Sequence, residues 1–305
     1  MKRFSENSRV CFIGDSITAA GLYTEFIAEH YAEKLSSSGV RFYVGAVPGG
    51  TARSQNVYFE EDILVYKPDH AIVMLGTNDS SSGQLERPRN DKIRYTILYD
   101  CFENYKANLN RLIDRLEQNN ITVTLCSPPP YAEFQECDSP NLKGGCALMT
   151  AYADYCRYLA EKRGLEFCDV HSYLTREMQF ADLFATDRVH PNTLGHQKIA
   201  ECILTAMGFY NYEAKPLSEA FQKRAELHSK ISNIYVAERL ILGEKRYEIS
   251  LEEKYEFLKD YLENNRYPDN YYKNIADLYL ENRPQLEQLR EEYIKQTDII
   301  MGFEK

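Results

Sequence analysis

A serine, an aspartate and a histidine occur in short motifs whose chemistry suits nucleophilic catalysis. Ser16 follows Gly14 and Asp15, and Asp187 precedes His190 by three residues. A serine hydroxyl needs a base to attack at neutral pH, and histidine, with an unperturbed pKa of ~6.5, suits that task. The spacing lets Asp187 accept from the imidazole Nδ1, which leaves Nε2 of His190 free to face Ser16. These residues predict a serine nucleophile activated by an Asp/His pair.

Two hydrophobic patterns alternate along the first two thirds of the chain. Short apolar runs rich in β-branched residues predict strands at residues 10–13, 41–47, 70–75, 121–126 and 165–170. Helical patterns lie between or after them, at about 22–37, 55–65, 95–119, 147–163 and 193–207. This alternation, with right-handed crossovers, predicts an α/β fold in which a five-stranded parallel sheet forms the middle layer of a three-layer αβα sandwich. Ligand sites in such sheets lie beyond the carboxyl ends of the strands.

Four motifs stand at that edge, each after a predicted strand or before the last core helix. They are Gly14-Asp15-Ser16, Val47-Pro48-Gly49-Gly50-Thr51, Gly76-Thr77-Asn78-Asp79 and Asp187-Arg188-Val189-His190-Pro191. Each alone is weak evidence, but their order and placement together are specific. On these residues the chain resembles the SGNH hydrolase family, also called GDSL-type esterases and lipases, over about residues 8–208. The resemblance implies an SGNH or flavodoxin-like fold and a serine ester hydrolase that uses no metal and no cofactor.

The resemblance also implies a catalytic triad in which Ser16 is the nucleophile and Asp187 and His190 are its partners. A second histidine, His196, is a rival base. It lies inside the predicted helix that begins near Thr193 and has no carboxylate three residues before it, so His190 is the predicted base. His190 is also the predicted acid that protonates departing groups.

An oxyanion hole is implied at the same edge. Its donors are the backbone N–H of Ser16, the backbone N–H of Gly49 and the side-chain amide of Asn78. A glycine suits its position because the missing side chain lets the tetrahedral intermediate approach the backbone. The family often shows Asn-x-Gly before this glycine, where this chain has Val44-Gly45-Ala46, so Gly50 stays an alternative to Gly49.

The substrate is less strongly indicated than the reaction. The long loop at 127–145 lies at the edge where it would form a wall of the pocket. The family includes carbohydrate deacetylases, lipases, thioesterases and lysophospholipases, and an acidic chain without an apolar anchor favours a small ester. We therefore expect cleavage of small acyl esters, in the first place acetyl esters of a carbohydrate, through an acyl-enzyme on Ser16. A lipase, a thioesterase, an acyltransferase on the same triad and a non-catalytic binding protein stay open as alternatives.

The composition excludes several other classes of protein. The chain has 305 residues, of which 44% are hydrophobic and 27% charged, and this is typical of a soluble globular protein. Its net charge of −10 and its lack of a Lys/Arg cluster argue against nucleic acid as a partner. No apolar run reaches the roughly 18 residues of a membrane span, and the first residues lack a signal-peptide pattern, so we expect no membrane partner and a cytoplasmic location. The eight scattered cysteines form no CxxC motif, which favours reduced structural thiols.

The residue pattern of the chain changes after Gly208. The β-branched runs that predict strands end there, and the sequence that follows is rich in polar helix-forming residues and tyrosines. We therefore predict a catalytic domain at 1–208 and a C-terminal all-helical extension at 209–305. Residues that begin or end helices divide the extension into four predicted helices. The first spans about 217–242 and ends before Gly243, and the second begins at a capping box of Ser250 and Glu253. The third has an N-cap at Asp269, and the fourth begins at Pro284.

Two apolar faces in this extension need partners. The first consists of Leu251, Tyr255, Leu258 and Leu262, and the second of Leu286, Leu289 and Tyr293. Helices of this length are marginally stable alone, so these faces must pack on other surfaces. We expect packing on the catalytic domain together with a share in a homodimer. A separate bundle and a mobile lid are the alternatives.

Overall fold

Five parallel strands form the central sheet. They are β1 (Arg9–Gly14), β2 (Arg41–Ala46), β3 (His70–Met74), β4 (Thr122–Cys126) and β5 (Glu166–Cys168), in the spatial order β2-β1-β3-β4-β5. The structure, a computed structural model, describes residues 1–82, 85, 91–135, 142–239, 250, 253, 256, 257, 260 and 277–302, with only the backbone at 91–94. The predicted five-stranded parallel sheet is confirmed.

Helices cover both faces of this sheet. They include α1 (Ser16–Ala19), α2 (Leu22–Leu35), α3 (Ala52–Val57), α4 (Phe59–Asp62), α5 (Asp91–Gln118), α6 (Gly145–Arg163), α7 (Val170–Glu177), α8 (Thr193–Ala206), α9 (Glu219–Ala237) and α10 (Leu286–Ile300). Helices α3, α5 and α6 pack on one face and α2, α7 and α8 on the other, which confirms the predicted three-layer sandwich. None of the helices in the described ranges combines the length and hydropathy that a membrane crossing needs.

Local capping moves two element boundaries from their predicted positions. The last strand ends at Cys168, short of the predicted residue 170, because the Asp169 carboxylate accepts from Ser172 N at 3.1 Å and caps α7. The helix predicted at 55–65 begins earlier, since Thr51 and Ser54 form a capping box that starts α3 at Ala52. Both shifts follow from N-cap side chains that satisfy the free N–H groups of a first helical turn.

The helices after residue 208 cover the exposed edge of the sheet. Strand β2 is an edge strand, whose outer backbone groups lack a neighbouring strand. Helices α9 and α10 pack against each other beside it. Arg224 Nη1 on α9 donates to Phe42 O at 2.6 Å, and Val44 N donates to Tyr293 Oη on α10 at 3.2 Å. These side chains satisfy backbone groups that would otherwise remain unpaired at the edge of the sheet.

The predicted segments of the extension meet different outcomes. The capping box is present, because Ser250 N donates to Glu253 Oε2 at 2.7 Å and Glu253 N donates to Ser250 Oγ at 3.2 Å. The second apolar face is buried against α9. The helix predicted at about 217–242 is α9, which begins at Glu219. Pro284 lies in a 3₁₀ turn at Arg283–Gln285, so the last helix begins two residues later than predicted, at Leu286. The other predicted positions lie outside the described residues: Gly243, Leu251, Tyr255, Leu258, Leu262 and Asp269. The division of the chain near residue 208 and the homodimer stay predictions.

A buried ion pair joins the extension to the core and supports a stability prediction. Arg224 Nε lies 2.8 Å from Glu25 Oε2, and their side chains are 1% and 0% exposed. We expect Arg224→Ala to lower the free energy of unfolding by about 3–5 kcal/mol, because it leaves the Glu25 carboxyl buried without its partner. Urea denaturation measures this change. The matched control is Lys223→Ala, which removes a solvent-exposed pair with Glu292 and should cost less than about 1 kcal/mol. Equal losses in the two variants would contradict the prediction.

Candidate active site

The turn from β1 into α1 presents Ser16 at the carboxyl edge of the sheet. Asp15 is the N-cap of α1, and its Oδ1 accepts from Ile17 N at 2.9 Å. Gly14 is required just before it, because a Cβ there would collide with the side chain of Thr18. The short motif therefore turns the chain sharply enough to present the Ser16 hydroxyl at the start of a helix.

The structure brings Ser16, His190 and Asp187 into one hydrogen-bonded chain. Ser16 Oγ lies 2.7 Å from His190 Nε2, and His190 Nδ1 lies 2.6 Å from Asp187 Oδ2. Asp187 Oδ1 accepts from the backbone N–H groups of Val189 and His190, each at 2.9 Å. Burial alone would raise the pKa of Asp187, but these backbone bonds and the imidazole hold it below its ordinary value. The carboxylate therefore stays ionised and orients the ring.

The loop that carries this pair is held by contacts the sequence did not indicate. Ala185 N donates to His190 O at 2.8 Å, which closes the loop at its base. Arg188, inside the motif, has a φ of 61° and a buried side chain whose Nη1 donates to Glu133 O at 3.3 Å. Ala132 N donates to Arg188 O at 2.9 Å. Arg188 thus anchors the loop to the segment after β4, a role that its position between Asp187 and His190 does not reveal.

The glycines after β2 occupy distinct positions in a tight turn. Gly50 N donates to Val47 O at 2.9 Å, so this N–H is engaged within the turn. Gly49 has a φ of 78°, the left-handed conformation that favours glycine after Pro48 at the corner of such a turn. Its N–H donates to none of the residues that the structure describes. Gly49 is therefore better placed than Gly50 to donate to a bound anion.

Asn78 approaches the same turn from the loop after β3. Its Nδ2 donates to Gly50 O at 3.0 Å, which orients the amide and leaves its second N–H available. Three tyrosines hold the loop by donating to its backbone carbonyls: Tyr105 to Leu75 O at 3.0 Å, Tyr131 to Thr77 O at 2.9 Å and Tyr152 to Asp79 O at 3.1 Å. Part of the tyrosine content, unexplained in the sequence, thus positions the Asn78 loop.

His196, the rival histidine, lies behind the site. It is 3% exposed, and its ring stacks on Tyr23 with centroids 6.2 Å apart. Burial lowers its pKa to about 4, so it is neutral at neutral pH. The imidazole in contact with Ser16 Oγ is that of His190.

Two carboxyl groups beside the site give a pH prediction for stability. Burial raises the pKa of Asp15 to about 6 and that of Asp79 to about 7. The negative charge of Asp15 also contributes to the raised pKa of Asp79. The folded state therefore binds these protons more tightly than the unfolded chain, and stability falls as pH rises from about 4 to about 7. We expect Asp79→Asn to become more stable relative to the wild type as pH rises from 4.5 to 8, measured by urea denaturation. A difference in unfolding free energy between Asp79→Asn and the wild type that does not change with pH would contradict this prediction.

No three His, Cys, Asp or Glu side chains converge as a metal site among the residues described in the structure. The seven described cysteines are free thiols, and Cys137 lies outside the described residues.

Comparisons with known proteins agree with this arrangement of elements. Residues 12–198 match the GDSL-like Lipase/Acylhydrolase family. An acetylxylan esterase of Geobacillus stearothermophilus is 25% identical over 225 residues, covering 68% of this chain and 97% of that protein. The crystal structure of Axe2, an acetylxylan esterase from Geobacillus stearothermophilus, superposes with a TM-score of 0.56 at 24% identity over 70% of this chain and 100% of that one.

A further structure resembles the whole chain, including the helices after residue 208. A gut microbial diltiazem-metabolizing enzyme superposes with a TM-score of 0.80 at 16% identity, covering 99% of this chain and 95% of that one. At this identity the likeness concerns the fold alone. The helical extension is therefore part of a fold found elsewhere.

Proposed function

We propose that this chain, which belongs to the GDSL-like lipase/acylhydrolase family and is a carboxylic ester hydrolase, removes acetyl groups from a carbohydrate through an acyl-enzyme on Ser16. The observation that carries the proposal is the 2.7 Å contact between Ser16 Oγ and His190 Nε2, with Asp187 behind the imidazole. The acetylxylan esterase similarity supports the choice of acyl group and alcohol.

The proposed reaction has two steps. His190 Nε2 takes the proton of Ser16 Oγ as the oxygen attacks the ester carbonyl carbon, and the imidazolium gives that proton to the departing sugar oxygen, which leaves as a hydroxyl. The backbone N–H groups of Ser16 and Gly49 and the Asn78 amide stabilise the negative charge on the carbonyl oxygen. Water, deprotonated by His190, then attacks the acyl-enzyme and releases acetic acid and the free serine.

The openness of the site supports a bulky alcohol in the substrate. The side chains of His190 and Asp187 are 45% and 50% exposed, so solvent reaches the base from outside the sheet. Because His190 protonates the departing alcohol, the alcohol must lie on this exposed side. An oligosaccharide fits that position without entering a closed cavity.

Esterase assays test the proposal directly. The purified chain is offered p-nitrophenyl esters from acetate to decanoate and acetylated xylo-oligosaccharides, with release of acetate measured. We expect turnover to fall as the acyl chain lengthens and acetate to be released from the oligosaccharides, with a phosphonate labelling Ser16. A preference for decanoate would indicate a lipase, and transfer of the acyl group to added alcohols would indicate an acyltransferase. A folded protein without turnover would indicate a binding protein.

Asn78→Ala is expected to lower kcat by about 10²- to 10³-fold and to leave KM little changed. The amide stabilises charge that develops on the carbonyl oxygen in the transition state, so its loss affects the chemical step more than substrate binding. Steady-state hydrolysis of p-nitrophenyl acetate measures both constants. Asn119→Ala, just past the C-terminal end of α5 and away from the site, is the control and should match the wild type. A change confined to KM would make Asn78 a substrate-binding residue instead.

A further inference from the structure

An open groove lies between the first turns of α5 and of α6, with a cavity of about 410 Å³. The mechanism proposed above makes no use of it. Helix α5 contributes Tyr95, Leu98, Tyr99 and Phe102, at the i, i+3, i+4 and i+7 spacing that places side chains on one face. The groove wall on this side is therefore a continuous aromatic and aliphatic stripe.

Small residues on α6 leave the space for this groove. Ala147 and Ala151 are four residues apart on the α6 face that lines the groove, and both are exposed. A methyl side chain at each position cannot fill the gap to the larger side chains of α5. The groove thus results from small side chains that face large ones across two helices.

The groove lies at the same edge of the sheet as the candidate active site. Both α5 and α6 begin at the carboxyl edge of the parallel sheet, the same edge that carries Ser16 and His190. Tyr152, in the groove wall, donates to Asp79 O at 3.1 Å, and Asp79 follows the Asn78 of the oxyanion hole. A substrate held at Ser16 can therefore extend along this edge toward the groove.

We propose that this groove binds sugar rings of the substrate beyond the acetylated one, an inference that rests on the proposed function. Tyr95 and Tyr99 are 62% and 63% exposed, so their rings are accessible to a ligand along an open surface. A pyranose ring places C–H groups on an aromatic surface while its hydroxyls stay in water, which suits an open aromatic groove. An alkyl chain gains most from complete burial, which this open groove does not provide.

Two variants with opposite effects on groove volume test the inference. Tyr99→Ala removes an aromatic contact, and Ala151→Phe fills the space from the other helix. We expect each to lower kcat/KM on acetylated xylotetraose about tenfold, the equivalent of about 1.4 kcal/mol of lost contact, and to leave p-nitrophenyl acetate hydrolysis unchanged. Tyr158→Ala is the matched control, because Tyr158 is 54% exposed on α6 outside the groove.

Calorimetric titration with unacetylated xylotetraose separates the two proposals. We expect the wild type to bind it and both groove variants to lose about tenfold in affinity. Binding to the wild type without acetate release would contradict the proposed function and leave the groove inference standing. Acetate release by all variants at wild-type rates, with unaltered tetraose binding, would overturn the groove inference. The groove inference would also be overturned if the groove variants lost activity on p-nitrophenyl decanoate and kept it on the oligosaccharide.

Discussion

Ser16→Ala is expected to lower kcat for p-nitrophenyl acetate by about 10⁴- to 10⁶-fold while the fold stays intact. In the proposed mechanism the hydroxyl forms the covalent bond to the acyl group, so no neighbouring group replaces it. The oxyanion donors remain, and they account for any residual rate above that of water. The measurement is a steady-state assay together with thermal unfolding, which should be within a few degrees of the wild type.

A matched serine variant makes this result specific. Ser37 is exposed in the 3₁₀ turn at Ser36–Ser38, which follows α2 and leads into the amino end of β2, away from the carboxyl edge. Ser37→Ala should keep wild-type turnover. A phosphonate inhibitor should label the wild type and the Ser37 variant, but not the Ser16 variant. Turnover that survives in Ser16→Ala would rule out the acyl-enzyme on this residue.

The two histidines near the site are expected to behave in opposite ways. His190→Ala should lower kcat by about as much as Ser16→Ala, because the hydroxyl loses the base that takes its proton. Its side chain is 45% exposed, so the substitution should cost little stability. Added imidazole should restore part of the activity, because the vacated position is open to solvent. Assays with and without imidazole measure both effects.

His196→Ala should keep most of the turnover and lose stability instead. The ring is 3% exposed and stacks on Tyr23, so its removal leaves a cavity behind the site, at a cost of roughly 1–3 kcal/mol. Urea denaturation of both variants separates a loss of chemistry from a loss of packing. An inactive His196→Ala beside an active His190→Ala would show that the base is the other histidine.

Local patterns in the sequence determined the strands and helices, and they also determined where the candidate catalytic residues lie along the chain. Short apolar runs rich in β-branched residues predicted five strands, which are the strands of the sheet. The Asp15 cap and the close approach at Gly14 likewise involve residues of one short motif. Ser250 and Glu253 predicted a capping box that the structure contains. These features depend on residues a few positions apart, so their physical causes are present in the sequence itself.

Contacts between distant parts of the chain decided the rest. The sequence predicted His190 rather than His196 as the base, but Ser16 and His190 are 174 residues apart, and the contact between them depends on the fold. The same holds for the extension: its apolar faces predicted burial, but only tertiary packing shows that Arg224 satisfies the edge strand at Phe42. The groove between α5 and α6 also has no local signal, because it is a gap between two helix surfaces. Spacing along one element determines which face a side chain occupies, whereas the partner of that face depends on how all the elements pack.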